Sequence, residues 1–543
     1  MANIKISRKE FEKDIGKLNE EMQHKIAMLG TPLESFNDEE IELEIFPNRP
    51  DMLSYQGFKR AFLGFLGKEK GLKPYKINKP EKDFIVKIDP SVKNIRPFTA
   101  CAIVKNLTLT DSRIKEIIDI QEKLHNTIGR KRKKAAIGVY PLDKISLPIT
   151  FQALEPDKIK FLPLESEKEM SGLEILQRHP TGKEYAHLLA GKTLFPIFTD
   201  SKNQILSMPP VINSELTGKV TSDTHDVFVE CSGSDFETQK KCLNIILTTL
   251  ADMGGSIYQM ELKYSKKEIT PNFEAEKMKL SIDNASKLLG IPLNEKTVKE
   301  SLERMGYNYK SGTVEIPPWR TDILHEVDLI EDIAIAYGYD NFNPEIPKIS
   351  TTGEEDRKWA LKRKISDILS GLGLLETKNY YLTTKDDQLT KMGKGVKSEF
   401  IEVKESKTDY TILRKDLTHY LLKTLSNNVD SEYPQKIYET GEIFTLSLEE
   451  KDSLGVALSP SNFTEAKQTL DYMARMLNIK IGVKEPKSSP YYFIEGRVGE
   501  IFMGNTSIGF IGEIHPKTLK DWKIKMPVSL FEISLEEIFK RLV

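Results

Sequence analysis

Apolar residues recur along this chain in two rhythms. In PPWRTDILHEVDLIEDIAIAYG, Val327, Ile330, Ile333, Ala334 and Tyr337 fall on one face of a helix turning about 100° per residue, with Asp328, Glu331 and Asp332 together on the other. WALKRKISDILSGLGLLET and TEAKQTLDYMARMLNI carry the same helical period. Elsewhere the runs are short and strand-like. Phe195-Pro196-Ile197-Phe198 is followed by a turn at Asp200-Ser201-Lys202-Asn203 and by Gln204-Ile205-Leu206-Ser207. Two prolines in MPPVIN predict an extended path, and Asp226-Val227-Phe228-Val229-Glu230 is an apolar run ending on an acid. Near the C-terminus, KIYETGEIFTL reads as a strand pair with a glycine between, and EGRVGEIFMGNTSIGFIGEIHP as two strands about an Asn-centred turn. PEIPKISTTGEEDRK is a linker, and from Trp359 the alternation predicts an antiparallel sheet flanked by helices over about 190 residues.

The pattern also repeats. EIFPNRPDMLSYQGFKRAFLGFLG aligns without a gap on EIPPWRTDILHEVDLIEDIAIAYG, so that Glu44, Ile45, Pro47, Arg49, Asp51 and Leu53 fall on Glu315, Ile316, Pro318, Arg320, Asp322 and Leu324. Upstream, IKISRKEFEKDIG echoes MKLSIDNASKLLG. Two copies of one module, about 70–80 residues each, follow from this. The copies differ at the acids: Asp328, Glu331 and Asp332 face Gly57, Arg60 and Ala61, so the module folds without them. Carboxylates at i, i+3 and i+4 repel by a few tenths of a kcal/mol per pair, and a cation would offset this. With Asp322 reaching in from the preceding loop, four oxygen donors suit a hard divalent ion such as Mg²⁺. The alternative is a solvated acidic helix face.

Composition narrows the function classes. The 543 residues suggest roughly three to five domains. Charged residues at 29% and hydrophobic ones at 39% suit a soluble globular protein with ample core. Lys and Arg number 79 against 81 for Asp and Glu, so any nucleic-acid surface is a local patch. The run Arg130-Lys131-Arg132-Lys133-Lys134 is either a solvated loop or a salt-sensitive phosphate contact. Three cysteines without zinc-like spacing predict free thiols in a reducing cytosol. No signal-peptide run, no membrane-length apolar window, no P-loop and no Ser-His-Asp or Cys-His constellation stands out.

PNRPDMLSYQGFKRA, PPWRTDILHEVDLIEDIAIAYGYDN, and IGEIHP with a downstream SLFEISL resemble the beta subunits of phenylalanyl-tRNA synthetase, of the shorter archaeal or eukaryote-like kind. The resemblance spans essentially the whole chain. It implies an α+β, multidomain fold: a first DNA-binding-like helical module at 1–90, a mixed α/β editing domain at 91–269, the second module with its acidic metal site at 270–346, and a class II synthetase-like core domain at 347–543. It implies Mg²⁺ at Asp322, Asp328, Glu331 and Asp332, shared with an alpha subunit in an α2β2 heterotetramer that uses ATP to join phenylalanine to its tRNA in the cytoplasm, away from any membrane. It also implies hydrolysis of tRNA mischarged with tyrosine, in a pocket including Phe198, Ser207, Asn213 and Glu230. Glu230 is the candidate reader of the tyrosine hydroxyl, with Asn213 and Ser207 as polar positioners; a site built to bond that hydroxyl can discriminate by about 10⁴–10⁵. Phe198 stands where similar sequences carry a smaller aliphatic residue.

The C-terminal block carries Lys436 but no motif 2-type arginine in PQKIYETGEIF, and no late Gly-x-Gly-x-x-Arg. Arg414 and Arg497 read as surface or salt-bridge arginines, so the block is expected to be a non-catalytic counterpart of the alpha subunit's active domain. Neither the N-terminal tRNA-binding barrel nor the C-terminal anticodon-binding domain of longer bacterial-type subunits is expected. Two other readings stay open: a free-standing tRNA-binding or deacylating protein, and a scaffold or tRNA-binding subunit with an inactive editing pocket.

Overall fold

The computed structural model describes residues 2–393 and 399–542. It divides into two compact units, Met1–Ile346 and Pro347–Val543.

The first unit opens with strand Ala2–Ser7, helices Arg8–Asp14 and Glu20–Met28, strands Leu33–Phe36 and Glu40–Ile45, and helix Tyr55–Phe65. The same order returns as Glu276–Lys279, Ile282–Leu289, Glu295–Arg304, Asn308–Lys310, Thr313–Ile316 and Glu326–Tyr337. In both sheets the third strand lies between the first and second. The local reasons repeat as well. Ser7 and Ser281 cap the first helices, Asn19 and Asn294 the second, each side chain accepting a first-turn backbone N–H. The two modules are stitched together: Arg304 donates to the Phe65 carbonyl from Nε at 2.9 Å and Nη2 at 2.7 Å, and the Gly71 N–H meets the Glu303 carbonyl at 2.7 Å.

Between them in sequence lies a sheet of eleven strands. Its path runs Ile212–Asn213, Ile205–Met208, Phe195–Thr199, Ile149–Leu154, Ile85–Ile88, Ser256–Lys263, Phe98–Lys105, Val227–Gly233 and Ala135–Pro141. Ile77–Asn78 and Lys267–Thr270 add to the Ser256–Lys263 strand, so backbone pairing ties residues 77–88 to this sheet and not to the first module. Helix Phe236–Asp252 buries most of its circumference, with Leu243, Ile245, Ile246 and Leu247 inaccessible, because the sheet covers one side and the first module the other.

The second unit is a seven-stranded sheet in the order Leu375–Glu376, Gln435–Phe444, Glu450–Ser459, Ser529–Ser534, Thr506–Ile514, Phe493–Met503 and Gly482–Lys484. All neighbours are antiparallel except the first pair. Alternation sends Val456 and Phe531 to one face, against helices Arg357–Gly371 and Phe463–Met476, and Ala457 and Leu530 to the other, against helix Thr418–Asn427. The expected strand pair in KIYETGEIFTL is one continuous strand. Gly441 sits inside it because a Cβ there would lie 2.4 Å from Arg414 Nη2. Arg414 is a buried ion-pair arginine, with Nη1 2.6 Å from Glu439 Oε1; Arg497 pairs at the surface with Glu513. Among the described residues no helix is long and apolar enough to cross a membrane.

Candidate functional site

Three strands place the candidate pocket residues side by side: Phe198 is the register partner of Ser207, and Ser207 of Asn213. The prolines of MPPVIN do not extend the chain. They form a reversal between the last two strands, closed by the Val211 N–H on the Met208 carbonyl at 2.9 Å. Glu230 lies elsewhere, on the Val227–Gly233 strand opposite Cys101 and Gly138. What joins the two groups is Tyr140, on the strand at the far end of the sheet. Its Oη stands 2.8 Å from Ser207 Oγ, 3.3 Å from Asn213 Oδ1 and 3.3 Å from Glu230 Oε1. The sheet therefore curls until its ends meet, and side chains close the seam. Gly138 makes this possible: a Cβ there would stand 2.2 Å from Tyr140 Oη, so the ring lies back over bare backbone.

A cavity of about 530 Å³ opens beside the seam, with Glu230, Asn213, Val211, Ile137, His125 and Arg132 in its wall. Glu230 is only 2% exposed, and its Oε2 has no hydrogen-bond partner of normal geometry. Burial pushes its carboxyl up to about 7, against the opposing pull of the Arg96 charge and of nearby Ser232 and Tyr140. Arg96 is buried behind it, donating from Nε to Ser232 Oγ at 3.0 Å, and burial lowers its guanidinium to about 10. Phe198 does not reach the cavity. It is fully buried and stacks on Phe151 with centroids 4.3 Å apart. Ser207 is nearly as buried and contributes through Tyr140.

The basic run divides. Arg130, Lys131 and Lys133 are exposed, but Arg132 turns inward. Residues 130–132 are all left-handed, with φ of 48°, 53° and 64°, a conformation costing roughly 1–2 kcal/mol per residue. Arg132 offsets this with bonds from Nη1 to the Val211 carbonyl at 2.9 Å and from Nη2 to Glu122 Oε1 at 2.7 Å, stacked 4.3 Å over Tyr185. It braces the hairpin that carries Asn213. Below it, His125 Nε2 accepts the Ile137 N–H at 2.8 Å, which leaves the proton on Nδ1 for Glu122. Neither ring nitrogen is free to act on a ligand. The three thiols are buried and their pKa values raised by that burial, Cys242 to about 12, so none is a nucleophile.

The acids of the second module also divide. Arg320 grips Asp322, with Nε 2.9 Å from Oδ1 and Nη2 2.7 Å from Oδ2, and reaches Asp332 Oδ2 at 2.7 Å. The Tyr307 hydroxyl donates to the same Asp332 oxygen. Asp332 is 4% exposed and Val327 49%, so the buried face of helix Glu326–Tyr337 includes the acid that periodicity placed outside. Asp328 Oδ2 caps the helix, accepting the Leu324 and His325 N–H groups at 2.7 Å each, and Glu331 lies exposed. Among the described residues no three His, Cys, Asp or Glu side chains are grouped to hold a metal ion. Arg49 and Asp51 form the same pair as Arg320 and Asp322, in the module without the acids. Asp322 therefore serves the fold of the second module as Asp51 serves that of the first.

Nothing in the sequence singles out Tyr140 or Arg96, and Arg132 stands out there only as part of a basic run. Tyr140 reads as one more core residue in AAIGVYP, and its only signal is the glycine two positions back on the same face.

Residues 278–339 match the tRNA synthetase B5 domain, and residues 343–535 match the phenylalanyl tRNA synthetase beta chain CLM domain. The chain is 39% identical over 508 residues to the phenylalanine–tRNA ligase beta subunit of Thermococcus sibiricus, covering 91% of this chain and 90% of that one. It is 38% identical over 542 residues to that of Archaeoglobus fulgidus, covering 98% and 97%. An N-terminal fragment of the phenylalanyl-tRNA synthetase beta subunit from Pyrococcus horikoshii superposes with a TM-score of 0.59 at 36% identity, over 62% of this chain and 99% of the fragment.

Proposed function

This chain belongs to the phenylalanine–tRNA ligase beta subunits, and we propose from that premise that its central sheet hydrolyses the phenylalanine-specific tRNA mischarged with tyrosine. One observation carries the reading: Glu230 Oε2 is buried without a partner in the wall of the seam cavity, while Tyr140 fixes the other oxygen. A tyrosine hydroxyl entering the cavity satisfies Oε2; phenylalanine leaves it unpaired, and a buried unpaired acceptor is what makes such sites reject the analogue. Asn213 positions the ester, and a bound water or the tRNA's terminal hydroxyl attacks. Catalysis comes from placement, since among the described residues the cavity wall holds no serine or cysteine to act as nucleophile.

The synthetic reaction, which consumes ATP, belongs in this reading to the alpha subunit, in a cytoplasmic α2β2 assembly on that tRNA. The second unit, with Arg414 locked to Glu439, supports it as a non-catalytic partner. For magnesium, Asp328 Oδ1 and both oxygens of Glu331 remain uncommitted among the described residues, whereas Arg320 already neutralises Asp322 and Asp332. Asp328 and Glu331 would hold the ion with oxygens from the alpha chain, the ion supplying a positive bridge between subunits. Loss of magnesium-dependent assembly in Glu331→Ala tests this; unchanged assembly removes the ion from this helix.

The closure of Phe198 and Ser207 favours one rival, a scaffold with an inactive pocket. Deacylation of the mischarged tRNA by the purified chain, with and without its alpha partner, decides between them. Tyr released much faster than Phe, with the difference abolished by Glu230→Ala, supports editing. No hydrolysis of either ester leaves the scaffold.

A further inference from the structure

A second cavity, of about 230 Å³, lies between the two repeated modules, with Arg49, Arg60, Arg320, Lys70, Ala61 and Asp51 in its wall. Each of the three arginines is more than nine-tenths buried, and two of them, Arg60 and Arg320, keep one buried terminal nitrogen without a hydrogen-bond partner among the described residues. Arg49 spends Nε and Nη2 on Asp51, both at 2.9 Å, and bonds nothing through Nη1 among the described residues. Arg60 spends Nη1 on Asp252 at 2.6 Å and Tyr75 at 3.1 Å, and Nη2 is orphaned. Arg320 spends Nε and Nη2 on Asp322 and Asp332, and Nη1 is orphaned. All three guanidinium charges bear on Asp51, which they hold below the usual carboxylate range although burial pushes it up. Glu69, also in the wall, lies 3.9 Å from Lys73, which pairs more closely with Asp252.

The repeat shows what is missing. In the second module Arg320 holds two carboxylates, Asp322 and Asp332. In the first, Arg49 holds only Asp51, because the position of Asp332 is taken by Ala61, and Ala61 faces the cavity. A buried guanidinium nitrogen without an acceptor forfeits the desolvation energy of that donor, so two of them, Arg60 Nη2 and Arg320 Nη1, with the uncommitted Arg49 Nη1 at the same wall, leave a site complementary to a compact multidentate oxyanion. The volume is several times the ~30 Å³ share of a water molecule, ample room for a tetrahedral anion together with ordered water.

We propose that the cavity between the modules binds a phosphate group, which stands in for the absent carboxylate at Ala61 and clasps Arg49, Arg60 and Arg320 together. The group is free phosphate or the end of a phosphomonoester. Its role is to lock the modules, independently of the seam cavity.

The test is calorimetric titration of the full chain with inorganic phosphate at constant ionic strength, with AMP as a second arm. Saturable one-to-one binding is expected, with a rise in the melting temperature of the chain. Ala61→Asp restores the internal carboxylate and should abolish phosphate binding while leaving the phosphate-free melting temperature equal or higher. Lys70→Ala, at an exposed position, should weaken binding several-fold without unfolding risk. AMP binding as tightly as phosphate assigns a phosphomonoester end; binding of phosphate alone assigns the free anion. No saturable binding in either arm, or binding indifferent to both substitutions, overturns the proposal.

Discussion

Tyr140 stands on the last strand of the eleven-stranded sheet and Ser207 on the second strand from its other end, yet Oη of the first lies 2.8 Å from Oγ of the second. That contact turns an open sheet into a near-barrel with a seam, and Glu230 and Asn213 meet at the same phenol oxygen. Tyr140→Phe removes the one oxygen that three polar groups share, Ser207, Asn213 and Glu230. It is expected to cost about 1–3 kcal/mol in denaturant unfolding and to reduce tyrosine release from mischarged tRNA at least tenfold, while ester release from the uncatalysed control stays unchanged.

Gly138→Ala tests the same seam from below. The new methyl meets the Tyr140 ring and hydroxyl, and either the ring moves or the strand does. A destabilisation of about 1–3 kcal/mol is expected from overpacking, with Tyr140→Phe and Gly138→Ala non-additive when combined, since both act on one contact.

The Glu230 carboxyl titrates near 7 in the folded chain against an ordinary 4.5. The folded state thus holds this proton more tightly than the unfolded state. As pH rises from 4.5 to 7 the unfolded chain releases it first, stability falls through that window, and above 7 the loss is complete at up to about 3 kcal/mol. Glu230→Gln should therefore be more stable than the parent at pH 8 and nearly equal to it at pH 4.5. Melting curves at the two pH values check the sign; a variant less stable at pH 8 would mean the carboxylate is compensated.

Arg320 neutralises two buried carboxylates, whereas Arg49, its counterpart in the first module, neutralises one. Arg320→Met should cost about 3–5 kcal/mol, the range for stripping a partner from a buried charge. Asp332→Asn in the same background should recover part of it. Unfolding curves of the single and double variants read this directly.

Arg414→Met in the second unit is expected to cost a similar amount, because Glu439 is fully buried and its carboxylate would lose its guanidinium. Glu439→Gln added to it should restore most of the loss.

The sequence revealed what is written locally and hid what depends on distant partners. The two modules were legible because Arg-x-Asp pairs and Ser and Asn caps act within a few residues of themselves. Glu230, Asn213 and Ser207 stand out in the sequence through the family resemblance, but nothing in the chain order shows that Tyr140 joins them. Phe198, read as a pocket residue, is held in the core by Phe151, 47 positions away. Asp332 was placed on the wet side of its helix by periodicity; Arg320 and Tyr307, both outside that helix, draw it in. The same holds for Arg132, whose neighbours in sequence face solvent.

The curl of the central sheet has a consequence for how the chain behaves among its own copies. A strand with one free margin exposes a row of backbone donors and acceptors that another chain can pair with, the route to misassembly. Here one terminal strand, Ile212–Asn213, is only two residues long, and the other, Ala135–Pro141, is buried along its length. With Tyr140 holding the two ends together, neither margin is left as a template. A chain with the seam opened would regain that hazard, so the tyrosine that shapes the cavity also guards the sheet against strand pairing with a second copy.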